Sequence, residues 1–401
     1  MSQLTRFGLS LGWASVAATS LVATAGQAES LYLVPQDYAT IQAAVDAAEP
    51  GGEIRVSAGT YGGFAIRNKA LTVVGVDGAP NTVVDGGGTG PVVLVLSDSE
   101  EAATVIRGLT VRGGSSENGG GAFLRGSVTL EDAIILDNHA TNGAGAFLIG
   151  EPTLRRVTFK DNVADSGGGA FASCGSHPTL QSCTFKSNLA DLGGGLMVAP
   201  EGFEPTLVTL VDSTFATNSA GVGGAIAVVN GGLELTGGSM SGNVSGMGGA
   251  LYAEDGATVN VTATEFRFNT ASEGAAAYAG DGSVIAIIDT DVVGNDAAAN
   301  SGALHGGGDG QVVFGGSRFS NNAPADRSGA TTDMGGNTFG AVPCSPVDLA
   351  APFGQVDLAD VIAFLTFFAA SDARVDYAGP HGVFDIADVV MFLQGYAQGC
   401  P

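Results

Sequence analysis

The sequence predicts an all-β solenoid of the parallel β-helix kind, with a short N-terminal capping helix and a small all-α C-terminal domain. Three observations predict it. First, a Phe-x-x-Asn pattern returns and is followed by Gly-Gly-Ala-apolar, as in Phe159-Lys-Asp-Asn162 with Gly168-Gly-Ala-Phe171. It recurs in Phe215-Ala-Thr-Asn218 with Gly223-Gly-Ala-Ile226, and in Phe266-Arg-Phe-Asn269 with Gly274-Ala-Ala-Ala277. The asparagines alone, Asn138, Asn162, Asn188, Asn218, Asn243, Asn269, Asn295 and Asn322, are spaced 24, 26, 30, 25, 26, 26 and 27 residues apart. A repeat of that length cannot bury its own apolar face and must stack on its neighbours. Second, short apolar or alternating runs separate these markers, such as Ser127–Leu130, Thr206–Val211 and Val284–Ile288, with no long stretch of helical period between them. Third, the pattern changes after Gly340 to two loop-plus-helix units.

About three strands per repeat make one coil, with coils about 4.8 Å apart. Equivalent residues then lie above one another. The asparagines form a ladder, the phenylalanines fill the interior, and the 64 glycines suit corners that need positive φ or close backbone approach.

In chain order, residues 1–28 read as a secretory signal. Arg6 is the only charged residue there, Phe7 to Ala25 is apolar and small, and Gly26-Gln-Ala28 supplies the small residues of a cleavage site after Ala28. No other stretch is long and apolar enough to span a bilayer, so the expected location is secreted or cell-surface, where disulfides persist. The net charge of −25, or −26 without the leader, argues against nucleic acid or anionic membranes as partners. It suits a solvated acidic surface, divalent cations or a saline medium.

The solenoid is expected over residues 29–340. Tyr38–Ala48 puts Ile41, Ala44, Val45 and Ala48 on one face of a helix, with Thr40 as N-cap and Pro50-Gly-Gly52 as its end. Strand-and-corner units follow at Glu53–Val56, Gly59–Tyr61, Leu71–Gly75 and Thr82–Gly86. The helix covers strand edges that the first coil would otherwise leave open. This opening resembles that of secreted pectin-lyase-like proteins, pectin methylesterases among them, and the resemblance implies a right-handed parallel β-helix. Next come strands at Val92–Leu96 and Val105–Val111 with an acidic corner at Asp98–Glu101.

From about 119 to 331 the paired motifs resemble the repeat of the polymorphic membrane proteins, β-helical bacterial surface proteins. Met240 and Val292 stand where that repeat has Phe, and Gly195 where it has Ala. A helical module occupies the place of the outer-membrane barrel that those proteins carry. The longest interval holds Ala199–Pro205, read as a protruding loop in which Phe203 is either a ligand contact or loop packing. Cys174 and Cys183 flank the turn Gly175-Ser-His-Pro178 and are expected to pair, the alternative being two buried thiols.

After a short linker at 341–343, residues 344–401 carry two copies offset by 28, Asp348 to Asp360 and Asp376 to Asp388. A helical run follows each, through Val361, Ile362, Phe364, Leu365 and Phe368 and through Val389, Val390, Phe392, Leu393 and Tyr396. Together with Cys344 and the ending Gly399-Cys-Pro401, they resemble a GC-type dockerin of planctomycete-like bacteria. That resemblance implies a cohesin-like or cell-surface protein as partner. Cys344 and Cys400 bracket the module, and a bond between them would stabilise it by roughly 4 kcal/mol in the loop-entropy account.

Calcium is a second implication. With Asp360 as position 12 of an EF-hand-type loop, Asp357 falls at 9 and Gly354 at 6. Leu349, Ala351 and Phe353 then stand at positions that need side-chain oxygen. In the second loop Asp388, Asp385 and Gly382 fit, whereas Tyr377, Gly379 and His381 do not, and Asp348 and Asp376 each sit one residue early. The competing reading has Asp357 and Asp385 capping their helices, with Asp360 and Asp388 in the first turns. Both stay open on sequence alone.

For catalysis, the Asn-Thr-Asp, Gly-His-Gly and Arg-Ile-Lys signatures of β-helical hydrolases and lyases are missing. His139, His177, His305 and His381 stand isolated. Asp289 with Asp291, and Asp161 with Asp165, are pairs that arise easily among 40 acids, and Arg155-Arg156 near Lys160 balances such acids. Trp13 lies in the leader, which leaves Tyr61, Tyr252 and Tyr278 to stack on a polysaccharide. The leading expectation is an exported non-catalytic interaction protein attached through its C-terminal module. Two alternatives are a lyase or hydrolase of acidic polysaccharide, with carboxylates and an arginine converging within about 6 Å, and a surface-layer component joined tip to tip near Phe339.

Overall fold

Coil upon coil, equivalent residues pair in parallel, so that Ile135, Phe159, Phe185, Phe215, Met240, Phe266, Val292, Phe319 and Phe339 form one continuous row. The computed structural model describes residues 30–97, 104–200, 202, 204–298, 301–340, 347, 349, 358–369, 375–378 and 384–398. The expected signal at 1–28, the acidic corner Asp98–Glu101, Phe203, Asp348, Asp357, His381, Cys344 and Cys400 lie outside them.

Three long parallel sheets of 13, 12 and 11 strands run the length of a β-solenoid. Their strands are mostly three to five residues long and alternate between the core and solvent, as in Val128–Glu131 and Val284–Ile288. Met240 and Val292 keep the interior phenylalanine row and are fully buried in it. Within that row Phe159 and Phe185 stack at 4.7 Å and Phe185 and Phe215 at 4.4 Å between ring centroids.

The asparagines form the continuous polar line through this apolar interior. From Asn138 to Asn295 each side-chain Nδ2 donates to Oδ1 of the asparagine one coil on, at 2.9–3.0 Å. The backbone N–H of the same residues donates to that same oxygen at 2.9–3.2 Å. A second Nδ2 proton goes to a carbonyl one coil back, for Asn218 that of Phe185 at 3.0 Å. An amide offers two donors and two acceptor lone pairs, and Asn218 uses all four within the row. Asn322, last in the line, gives its outgoing proton to Asp326 Oδ1 at 2.8 Å, which closes the ladder among the described residues.

Sharp corners deliver the chain to this row. The corner just before each asparagine is left-handed even at Asp137, Asp161, Thr217 and Phe268, with φ near 54°. Aspartate tolerates this conformation better than most residues, which gives these acids a backbone role. Five residues after the ladder asparagines, Gly143, Gly167, Gly193, Gly223, Gly248 and Gly274 all have φ of 59–65°. A Cβ on Gly193 would stand 2.4 Å from the Leu196 carbonyl oxygen.

Two expectations need correction. Ala170 pairs with Leu196, and Leu196 with Ile226, so Phe171 is not the counterpart of Ile226. It pairs with Met197 and points outward, because a slip of one residue in a strand reverses the face. The row Phe147, Phe171, Met197, Ala227 and Tyr252 forms a second buried cluster outside the main core, with Val222 and Met247 packed against it. A fourth short strand lies between asparagine and glycine. Ser115–Asn118, His139–Asn142, Val163–Ser166, Leu189–Leu192 and Ser219–Val222 make a five-stranded sheet, so the middle coils have four strands and not three.

Both ends are covered by local devices. Helix α1 (Ile41–Ala47) buries Ile41, Ala44 and Val45 against the first coils. Thr40 Oγ1 caps it by accepting from Ala43 N, and Lys69 Nζ donates to the carbonyls of Val45 and Ala48 at its end. At the far end the Arg327 guanidinium lies 5.3 Å from the Phe314 ring and 5.2 Å from that of Phe339, and Asp333 holds it at 3.2 Å. Two further helices, α2 (Leu358–Ala369) and α3 (Ile386–Gln398), complete the three helices of the described residues. None of the three is long and apolar enough to cross a membrane.

Replacing Asn218 by alanine removes the acceptor for two Asn188 donors, and it strips Phe185 O and Asn243 Oδ1 of a proton each. The expected cost is roughly 4 kcal/mol. It is read as a lower unfolding midpoint with faster amide exchange at Asn188; an unchanged midpoint would refute a supporting role for the row.

Candidate functional site

Charged groups on the solenoid wall pair with one another. Arg155 meets Glu131 at 3.1 Å, Arg156 grips both oxygens of Asp132 through Nε and Nη2, and Lys160 meets Asp161 at 3.1 Å. Each spans adjacent coils or adjacent residues, so the basic cluster balances acids across a strand spacing. The Arg156 hydrogen bond, opposed by partial burial, holds Asp132 below the usual carboxylate range.

One place brings two carboxylates and two arginines together. On the outer face of the 12-stranded sheet, Arg267 holds Glu265 at 2.8 Å and approaches Asp291 at 3.7 Å, and Arg318 grips Asp291 at 2.7 and 3.1 Å. Burial alone would lower the Arg267 pKa, but the Glu265 hydrogen bond and the charges of Glu265 and Asp291 raise it. These side chains are about a third to a half exposed, and the two carboxylates are each clamped by a guanidinium. Asp289, two residues from Asp291, takes a left-handed corner at φ 50° and does not join them on the strand.

His305 is less isolated than its place in the sequence implies. Its Nδ1 lies 2.7 Å from Ser328 Oγ, and Nε2 lies 3.7 Å from Glu273 Oε2. The three residue types are those of a hydrolytic triad, but the carboxylate is beyond hydrogen-bond distance and the row is one of stacked rings, Tyr252 on Tyr278 and Tyr278 on His305. Tyr252 is buried in the second cluster, and Tyr61 is on a different sheet, at Gly59–Gly62. The three tyrosines therefore do not make one stacking platform. Asp161 takes a left-handed corner and Asp165 lies on the fourth sheet, on opposite sides of Asn162.

The expected Cys174–Cys183 bond is not formed. Cys183 occupies the inward corner place just before Thr184, equivalent to Val157 before Thr158 and Ser213 before Thr214, and is fully buried. Its Sγ lies 3.6 Å from the carbonyls of Leu154 and Gln181. Cys174 is exposed in a left-handed turn on the other side of the strand Thr179–Gln181, so a corner and a strand separate the two sulfurs. His177 is exposed beside that turn. Among the described residues no group of three His, Cys, Asp or Glu side chains is arranged to hold a metal.

The C-terminal helices differ in kind. Val347, Phe364, Val375 and Phe392 form their small core, with Phe364 and Phe392 stacked at 4.1 Å. The four are two equivalent pairs in the 28-residue repeat, so the units pack face to face. Asp385 Oδ1 caps α3 by accepting from Ala387 N at 2.7 Å. Asp388, three residues on, returns Oδ2 to the Asp385 N–H at 3.0 Å, which completes a capping box, and its Oδ1 accepts from Ala378 N at 2.8 Å. In the first unit Asp360 Oδ1 accepts from Leu349 N at 2.6 Å. Both Asp360 and Asp388 are fully buried, and Asp376 is half-buried beside Tyr377.

What the first unit leaves outside, the second leaves outside too. Leu358, Ile362 and Leu365 are 58–68% exposed, and their counterparts Ile386, Val390 and Leu393 are 44–73% exposed. Sequence reading found these helices but did not separate their faces, because both are apolar nearly all round and the hydrophobic period is blurred. The internal repeat was the available signal: only one face of each copy can meet the other. Six large aliphatic side chains in two equivalent stripes are the most prominent unpartnered apolar feature of the described residues.

No protein-family model matches the chain, and no curated protein matches it either.

The burial that pushes the Cys183 thiol up to about 11 leaves about one thiolate in a thousand at pH 8. Folded protein is therefore expected to leave Cys183 unlabelled by iodoacetamide at that pH and to react fully once denatured. Rapid labelling of the folded chain at Cys183 would contradict this burial.

Proposed function

We propose that this is an exported, non-catalytic interaction protein that presents its β-solenoid as a binding surface and is attached through its C-terminal helices. The observation that carries the reading is the pair of equivalent apolar stripes, Leu358, Ile362 and Leu365 with Ile386, Val390 and Leu393. Exposed stripes of this kind belong to protein contacts and not to free surface. The resemblance of residues 344–401 to a dockerin names the partner class, a cohesin-like or other cell-surface protein. Resemblance to the polymorphic membrane proteins and to pectin-lyase-like proteins supplies the extracellular setting, and the apolar leader at 1–28 supplies the route. The acidic surface bears on the solenoid's own ligand, where polysaccharide is one candidate.

The test compares the full chain with a Leu365→Glu, Leu393→Glu double variant for retention on the surface of source cells. Retention is expected to fall at least about tenfold, the size of one lost hot spot, with the helical circular dichroism unchanged. Equal retention would remove the stripes from the attachment site.

One observation favours a catalytic alternative, the Glu265, Arg267, Asp291 and Arg318 group. A polysaccharide lyase acting there would generate an unsaturated product from polygalacturonate or alginate and lose that activity in Asp291→Asn. The mutual neutralisation of the four charges leads to the opposite expectation, no product from either protein.

A further inference from the structure

We infer that the two C-terminal loop–helix units are closed by buried carboxylates bonded to the backbone, and that they fold without calcium. The spacing of acids in this region raises calcium as an expectation, and the residues present do not fit the ion. A calcium loop of the EF-hand kind gathers six to eight oxygens, with side chains at positions 1, 3 and 5, a carboxylate at 9 by way of water, and a bidentate carboxylate at 12.

Position 1 is held here by Leu349 and Tyr377, and both pack against the small core of the module. Tyr377 stacks on Phe364 at 6.2 Å, and burial pushes its hydroxyl up to about 12. Positions 3 and 5 are Ala351 and Phe353 in the first loop and Gly379 and His381 in the second, none with a side-chain oxygen. Position 9 of the second loop, Asp385, accepts from Ala387 N as the helix cap. Position 12 of that loop, Asp388, meets a backbone N–H with each oxygen, Ala378 at 2.8 Å and Asp385 at 3.0 Å.

The sign of the local field completes the argument. A buried carboxylate needs partners, and N–H groups or a cation both supply positive charge. Where N–H groups already converge on both oxygens they repel a cation from the same lone pairs. In the first unit Asp360, equally buried, accepts through Oδ1 from Leu349 N. The bond in each unit ties the first or second residue of the loop to the first turn of the helix behind it, the two ends that an ion would join.

The experiment uses the full chain. Helical ellipticity at 222 nm reports mainly α2 and α3, since α1 has only seven residues against their 12 and 13. Melting in millimolar calcium and in excess EGTA is expected to give coincident helical transitions, and calcium titration by calorimetry is expected to give no binding heat. Asp388→Ala is expected to lower the helical transition by about 10 °C or more, as two bonds to a charged group are lost in a small domain. Asp388→Asn keeps one acceptor and is expected to fall between the two, which keeps the test informative if the alanine variant does not fold. A calcium-dependent rise in the wild-type midpoint that Asp388→Asn abolishes would overturn the inference.

Discussion

The line of amides from Asn138 to Asn322 is the constraint on which the solenoid depends. A polar side chain inside an apolar cylinder is tolerated only if each of its hydrogen-bonding groups has a partner. Here the partners come from the coils on either side, so each asparagine demands another one strand spacing away. That requirement ties the corners to one another more tightly than apolar packing alone, since side chains such as Phe266 and Val292 interchange freely in the neighbouring row. It also explains why insertions are confined: the four or five extra residues between Asn188 and Asn218 leave the row unbroken.

Regularity inside releases the outside. Because each coil contacts mainly its neighbours, the outer strand positions vary without disturbing the interior. They hold ion pairs on the 13- and 12-stranded sheets and rings on the 11-stranded one. The fourth strand uses this freedom most, folding over the outward phenylalanines to create a second apolar layer. Tyr252 is lost to solvent in consequence, and with it a platform of stacked aromatics. The same logic governs the ends of the described solenoid, which helix α1 and the Arg327–Phe339 pair cover. Phe339 remains about half exposed at that edge.

The C-terminal units solve the opposite problem. Among the described residues their core is four buried side chains with half-buried ones packed around them, a small core for two loop–helix units. Asp360 and Asp388, both buried, accept from the backbone N–H groups of Leu349 and Ala378, and a capping box fixes the start of α3. Pairing through Phe364 and Phe392 fills one face of each helix and leaves the other apolar and bare. Structure and proposed attachment thus come from one fact, a sequence more apolar than so small a domain can bury.

Repetition made most of this chain legible without coordinates. Asparagine spacing, the phenylalanine register with its Met240 and Val292 substitutions, the Thr40 cap and the change of pattern after Gly340 all follow from local counting. Such counting works where a residue's environment is set by its own copy one coil away. It failed for Phe171, for the fourth strand and for Cys183. In each the deciding fact is which face a residue presents, and a one-residue offset reverses that face without altering composition. It left Asp388 open between two readings, because a capped first turn and a metal ligand use the same residue at the same spacing. What only the tertiary structure adds is the hydrogen-bond partner, Ala378 N, which lies ten residues away along the chain.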